Sequence, residues 1–301
     1  MKNVAIIIPV YNRVKVTLTC LNHLAECRIF DWADVIVVDD QSTDGTADAI
    51  CSQFPQVILL EGNGDLWWAG GINMGMQYAY DFGAEYLLWL NDDCVPRGNA
   101  ISALYKYSLK HDVIAVGQAF CPSGHYYGGH KKTWLGLRLL SCSESDVVPC
   151  DAFGGNAVCL PRKVVDAIGY LDAKRIPMAP ADADYGLRAR RKGIQAFVVG
   201  TARFENDDNL SDEQQSWLLG DIPPAKIWNG FFGKKSSRSF GPMFTFYLRH
   251  WGPWGGILFV TPYVKFLLIA FVRTLVPVSV LRKVYGARSK AWGIHSHYRA
   301  D

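Results

Sequence analysis

Four apolar runs in the first third of the chain, 3–10 (NVAIIIPV), 34–40 (DVIVVDD), 57–62 (VILLEG) and 86–92 (YLLWLND), do not alternate with polar positions. Short continuous runs of that kind predict strands buried on both faces. Between them, 14–27 and 44–53 carry apolar residues at helical spacing, the latter opened by the cap-forming STDG, and a third helix is expected over about 70–82. Strand and helix in alternation predict an α/β, Rossmann-like, mostly parallel sheet with helices on both faces. In such sheets ligands bind beyond the carboxyl ends of the strands. Asp39-Asp40 and Asp92-Asp93 end two of these strands, so both carboxylate pairs are expected on one edge, facing a cation or polar ligand.

The second half is less regular. Residues 151–172 read as a glycine-rich turn, a short strand and a helix with Pro161 near its first turn; 181–193 read as a helix ending at Gly193, and 194–200 as a strand. From Trp251 to Leu281 the chain is strongly apolar, but Pro262, Lys265, Arg273 and Pro277 interrupt it. No uninterrupted stretch approaches the roughly 20 residues of a spanning helix. Basic residues among Trp, Phe and Leu fit a segment lying on a membrane surface; a packed core helix or a dimer contact are the plainer alternatives. The N-terminal apolar run breaks at Pro9, too early for a signal peptide, and reads as the first strand.

Composition changes this picture little. Half of the 301 residues are hydrophobic and 20% are charged, which fits a folded globular chain of one large domain or two halves sharing a core. A net charge of +3, with no basic run interleaved with aromatics, gives no reason to expect a nucleic-acid partner. The eight cysteines form no C-x-x-C pair and no zinc spacing, and read as reduced thiols of a cytosolic protein. No G-x-S-x-G, P-loop or H-E-x-x-H is present, and His295 and His297 have too little around them for a closed metal site.

The carboxylates carry the chemistry. Hard oxygens at Asp92-Asp93 suit Mg²⁺ or Mn²⁺, with Asp93 reaching the ion and Asp92 accepting from ligand hydroxyls; a solvated NDD turn is the bland alternative. Asp39 and Asp40 are expected to bond a base or sugar. The glycine-rich 61–75 lacks the dinucleotide spacing, leaving a loop that approaches a phosphate or sugar, with Gly71 and Asn73 at the donor; Trp67 and Trp68 stack on a sugar or simply pack. Asp184 and Arg188 stand at i, i+4, as in an ordinary surface ion pair. Asp182 points about 200° away around that helix and is a candidate general base.

Taken in order, IIIPVYNR, VIVVDDQSTDGT, GNGDLWWAGGINMG, LLWLNDDCVP and DAFGGNAVCLPRKVVDAIGYLD with ADADYGLRARRKG resemble a family 2 glycosyltransferase of the GT-A fold, across roughly residues 4–200. The third segment is most similar to bacterial rhamnosyl- and galactofuranosyltransferases of O-antigen, capsule or cell-wall synthesis. The resemblance implies a nucleotide-sugar-binding half (1–95), an acceptor-binding half (96–205) and a C-terminal helical, membrane-associated region (206–301). It implies that Pro9, Tyr11 and Asp40 line the nucleobase pocket, that Asp92 contacts the ribose and Asp93 the metal, that Asp182 is the base of an inverting transfer, and that Gly154, Gly155 and Asn156 border the acceptor. The expected donor is a nucleoside-diphosphate sugar and the expected acceptor a lipid-linked saccharide, handled on the inner face of the cytoplasmic membrane. Two positions depart from the family pattern: Ala181 replaces an acid before the base, and no metal-binding His follows Gly193, where Glu205, Asn206 and Asp207 stand instead. Glu205 is the candidate replacement ligand. The alternatives are a sugar-phosphate nucleotidylyltransferase, whose phosphate loop PVYNRVKVT lacks, and a non-catalytic, transferase-like sugar-binding protein.

Overall fold

The computed structural model describes residues 2–122, 126–206, 223, 225, 227, 228 and 239–283; Asp207, His295 and His297 lie outside them. Its strands are β1 (Val4–Val10), β2 (Asp34–Asp39), β3 (Ile58–Glu61), β4 (Tyr86–Leu90), β5 (Cys94–Pro96), β6 (Ile114–Phe120), β7 (Tyr126–Tyr127), β8 (Gly129–Thr133), β9 (Gly136–Leu139), β10 (Val147–Cys150), β11 (Ala152–Phe153), β12 (Ala157–Pro161) and β13 (Ala196–Asn206). The helices are α1 (Val14–Glu26), α2 (Thr46–Gln53), α3 (Trp67–Asp81), α4 (Ala100–His111), α5 (Lys163–Ile168), α6 (Ala181–Arg191), α7 (Phe240–Trp251) and α8 (Pro253–Leu275).

The main sheet runs β10-β13-β6-β12-β4-β1-β2-β3, and along this path only β10 and β12 oppose the other strands. The two expected halves share this sheet, since β4 of the first pairs with β12 of the second. The apolar runs do not alternate because each face has its own core. Ala5, Ile7, Leu87 and Trp89 point to one core with α3 and α6. Ile6, Ile8, Leu88 and Leu90 point to the other with α1 and α4. β3, at the sheet edge, is only partly buried, against expectation, because among the described residues no strand lies beyond it.

Several boundaries differ from the sequence reading; α3, for one, starts at Trp67 rather than near 70. Pro161 closes β12 rather than opening α5, which starts at Lys163. β13 runs six residues past Gly200, to Asn206, because β6 and β5 flank its second half. Pro262 does not break α8: the helix is 23 residues long and apolar enough, by length and composition, to cross a membrane. A proline removes one i→i−4 bond, and the rest of the ladder persists here. Only 29% of the most apolar window of α8 is buried, so it is not a core helix among the described residues.

Candidate active site

The carboxyl ends of β1, β2 and β4 meet as the topology requires. Backbone strain gathers beside these ends: Asn12 (φ 51°) follows β1, Gln41 (φ 62°) follows β2 and Trp67 (φ 59°) opens α3, all left-handed without being glycine. Such conformations persist where surrounding contacts impose them and cluster at ligand sites. Here Asn12 accepts from Thr43 N (2.7 Å), and its own N–H donates to Ser42 Oγ (2.8 Å), tying the β1 and β2 loops together. Asp44 accepts from Val14 N and Thr46 N (3.0 and 3.2 Å), so it serves the first turns of both α1 and α2.

Beside these loops lies a cavity of about 380 Å³ lined by Pro9, Tyr11, Arg13, Asp40, Trp67 and Gly71, among others. The structure thus brings together the residues expected around a nucleobase. Tyr11 is exposed at its mouth, and Gly71 backs onto Pro9, where a Cβ would come within 2.9 Å of the proline Cβ. Asp40 is already engaged, accepting from Gly64 N (2.8 Å), Leu66 N (2.9 Å) and Trp67 N (3.2 Å). It shapes the cavity by fixing the glycine-rich loop. Asp39 is buried and accepts from Ser42 N (2.9 Å). Asn73 is not among the cavity residues: its side-chain amide bonds both the N–H and the C=O of Leu171 (2.9 Å each), a structural clasp.

A second cavity, about 460 Å³, is lined by Asp92, Asp93, Glu205 and residues of α1 and β5. Asp92 is buried, accepting from Thr17 Oγ1 (2.9 Å) and pairing with Arg13 Nη1 (2.9 Å). Burial pushes its carboxyl up to about 6 in spite of that guanidinium. Asp93 pairs with Arg13 Nη2 (3.0 Å), while its Oδ1 is buried with no hydrogen-bond partner. Glu205 faces Val95 across the β5–β13 ladder and pairs with Arg97 (2.8 Å).

An orphaned, buried carboxylate oxygen beside a second carboxylate is a donor set that fits a hard divalent ion. Among the described residues no three His, Cys, Asp or Glu side chains gather closely enough to hold one, so Glu205 does not complete a protein cage. Two carboxylates with the rest supplied by phosphate and water is the usual coordination of Mg²⁺ at a nucleotide.

Asp182 stands in the first turn of α6. Its Oδ2 accepts from Gly155 N (2.7 Å) and its Oδ1 from Ala183 N (2.8 Å). Burial raises its carboxyl above the ordinary value, against the pull of those two amides. Gly155 is glycine for a steric reason: a Cβ would sit 2.4 Å from the Trp68 ring and 3.3 Å from Asp182 Cβ. Trp68 lines the first cavity and donates from Nε1 to Asn91 Oδ1 (2.8 Å), the residue before Asp92. It therefore joins that cavity, the carboxylate pair and Asp182 in one cluster. Asn156 O accepts from Asn91 N (3.0 Å), and Gly154 N bonds Gly128 O (2.9 Å), which holds this strip against the end of β4.

Asp184 is not the surface ion pair its spacing implied. It is 1% exposed and meets Arg188 Nε (3.0 Å), Arg249 Nη1 (2.9 Å) and His250 Nε2 (2.7 Å), the last two from α7. The bridging Arg13, the buried Asp184 hub and the Asn73 clasp were invisible to sequence reasoning, because their partners lie 65 to 98 positions away.

The fold is GT-A: the chain is similar to the crystal structure of S. aureus TarS (TM-score 0.54, 14% identity, covering 76% of this chain and 40% of that one). It is also similar to the crystal structure of GalNAc-T7 with UDP, GalNAc and Mn²⁺ (TM-score 0.58, 11% identity, 88% of this chain and 58% of that one). The chain thus spans about half the length of these neighbours. Residues 5–154 match the model for glycosyl transferase family 2, and the chain carries a glycosyltransferase domain of that family. No curated protein matches it in sequence.

Proposed function

We propose that the protein moves a sugar from a nucleoside-diphosphate donor to an acceptor hydroxyl with inversion at the anomeric carbon. The observation that carries this reading is Asp182, a carboxylate with raised proton affinity held against Gly155 N–H and linked through Trp68 to the donor cavity. Two of its lone pairs are taken by amide N–H groups, and the others are available to an acceptor hydroxyl. As that hydroxyl oxygen bonds the anomeric carbon, the bond to the donor phosphate breaks and the proton passes to Asp182. Pro9 and Tyr11 seat the base, Asp40 and Asp39 fix the loops around it, and Gly154–Asn156 border the acceptor. Mg²⁺ or Mn²⁺ at Asp93, with Asp92 beside it, would offset charge on the departing diphosphate, in keeping with the Mn²⁺ and UDP of the GalNAc-T7 structure.

The acceptor we infer is a lipid-linked saccharide of a bacterial surface polysaccharide, met on the cytoplasmic side. The outward face of α7 and α8, with Phe244, Leu248, Ile257, Val264, Leu268 and Phe271 exposed, supports a peripheral membrane seat.

The test is donor binding and hydrolysis across a panel of nucleotide sugars with Mn²⁺, Mg²⁺ or EDTA, for wild type and Asp93→Ala. One donor engaged only with metal, and lost in the variant, is the expected result. No engagement of any donor under any condition overturns the reading.

A further inference from the structure

The carboxylate pair already has a cation. Arg13 extends one arm of its guanidinium to each acid, Nη1 to Asp92 Oδ1 (2.9 Å) and Nη2 to Asp93 Oδ2 (3.0 Å). Thr17 holds the second oxygen of Asp92. Among the described residues, Asp93 Oδ1 is then the one oxygen of the pair left without a partner. An arriving divalent ion can take that oxygen, but any second protein oxygen it reaches already bonds Arg13 or Thr17, and the guanidinium charge there repels it. Metal and guanidinium compete for one site.

Arg13 is placed to yield. Its side chain is 35% exposed, while that of Asp92 is 2% exposed. It also lines the donor cavity with Tyr11 and Trp67, whereas the carboxylates line the neighbouring cavity. A guanidinium released on the donor side meets the donor's diphosphate, the anion its planar fork fits best.

We propose that Arg13 is a displaceable counter-ion: it occupies Asp92 and Asp93 until metal and diphosphate arrive together, the metal taking the carboxylates and the guanidinium passing to the phosphates. This rests on the metal-dependent reading above. It makes binding cooperative by linkage. Metal alone must draw Arg13 off two carboxylates, and diphosphate offers the guanidinium two anionic oxygens in exchange, so each raises the affinity of the other by the same factor. Arg13 thus acts on the donor through contacts that neither a free carboxylate pair nor a fixed ion pair would make.

Mn²⁺ binding, followed by electron paramagnetic resonance, tests this without turnover. Wild type, Arg13→Gln and Arg13→Lys are titrated with Mn²⁺ alone and then with inorganic pyrophosphate present. R13Q should bind Mn²⁺ alone about tenfold more tightly than wild type, the loss of one charge-assisted competitor. Pyrophosphate should enhance Mn²⁺ binding less in R13Q than in wild type. R13K, a point charge without the planar fork that spans the two acids here, should fall between, and it decides the matter if R13Q is misfolded by circular dichroism. Mn²⁺ bound by R13Q no more tightly than by wild type overturns the proposal and leaves the metal reading standing. Mn²⁺ bound by neither protein, with or without pyrophosphate, overturns both.

Discussion

At the residue scale the proposed transfer depends on one carboxylate being protonatable at the right moment. Asp182→Asn keeps the shape of the side chain and removes the proposed base. Transfer should fall by about 10²–10⁴-fold while donor binding, measured calorimetrically, stays within a factor of two or so. Burial raises the Asp182 carboxyl, so the active, ionised form is lost as pH falls through that raised value. The acid limb of kcat/KM should therefore lie above the ordinary carboxylate range, and mutating the fully exposed Asp44 should not move it. An acid limb at the ordinary value would remove Asp182 from the base role. Asp182 stands out in the motif ADAD, but its neighbour misleads: the i, i+4 spacing of Asp184 and Arg188 predicts a surface pair, and the pair forms with Asp184 buried. Spacing on one helix says nothing about which second helix covers it.

At the element scale that covering helix is the issue. Asp184 links α6, which carries Asp182, to α7 through Arg249 and His250. Burial disfavours its charge, but His250 and two guanidiniums outweigh this and hold the carboxyl below its ordinary value. A group so lowered stabilises the fold above its unfolded pKa and ceases to as pH falls through the folded one. Burial also lowers the pKa of His250, which acts in the same direction, since below about 6.5 the unfolded chain takes up the proton that the folded ring resists. The α6–α7 junction should thus loosen as pH drops from about 7 towards 4, read as a falling urea midpoint. Asp184→Asn should cost about 3 kcal/mol at neutral pH, leaving two arginines without their buried anion. A midpoint unchanged by that substitution would show the hub to be ornamental. The strands were legible because continuous apolar runs have few other uses in a chain of this kind. α8 was less so: Pro262 reads as a break, and only the persistence of the surrounding helical ladder overrules it.

At the scale of the whole molecule, one side is more apolar than a solvated surface needs to be. α8 is about 35 Å long at 1.5 Å per residue, and Leu268 (59%) and Phe271 (57%) stand exposed on it. The β8–β9 hairpin adds to the same face: Trp134 stacks on Trp254 of α8 at 6.0 Å, and Trp254 Nε1 donates to Trp134 O (2.7 Å). A helix and a hairpin 120 positions apart in sequence are pinned together while Trp134 (69%) and Leu135 (62%) stay exposed at the tip. Paired indole rings between an apolar face and water suit the headgroup zone of a bilayer. If that face seats the protein, Leu268→Glu with Phe271→Glu should cut flotation with phosphatidylglycerol vesicles at least tenfold, since each side chain contributes about 1.5–3 kcal/mol when fully buried. Donor hydrolysis should be unaffected, because both substitutions lie outside the two cavities, whereas turnover of an acceptor confined to vesicles should fall with flotation. A self-association face gives the opposite pattern: a wild-type dimer in the absence of lipid, a monomeric variant, and no flotation by either. The two outcomes separate because a bilayer needs only one copy of the apolar face, while a dimer hides two from the lipid.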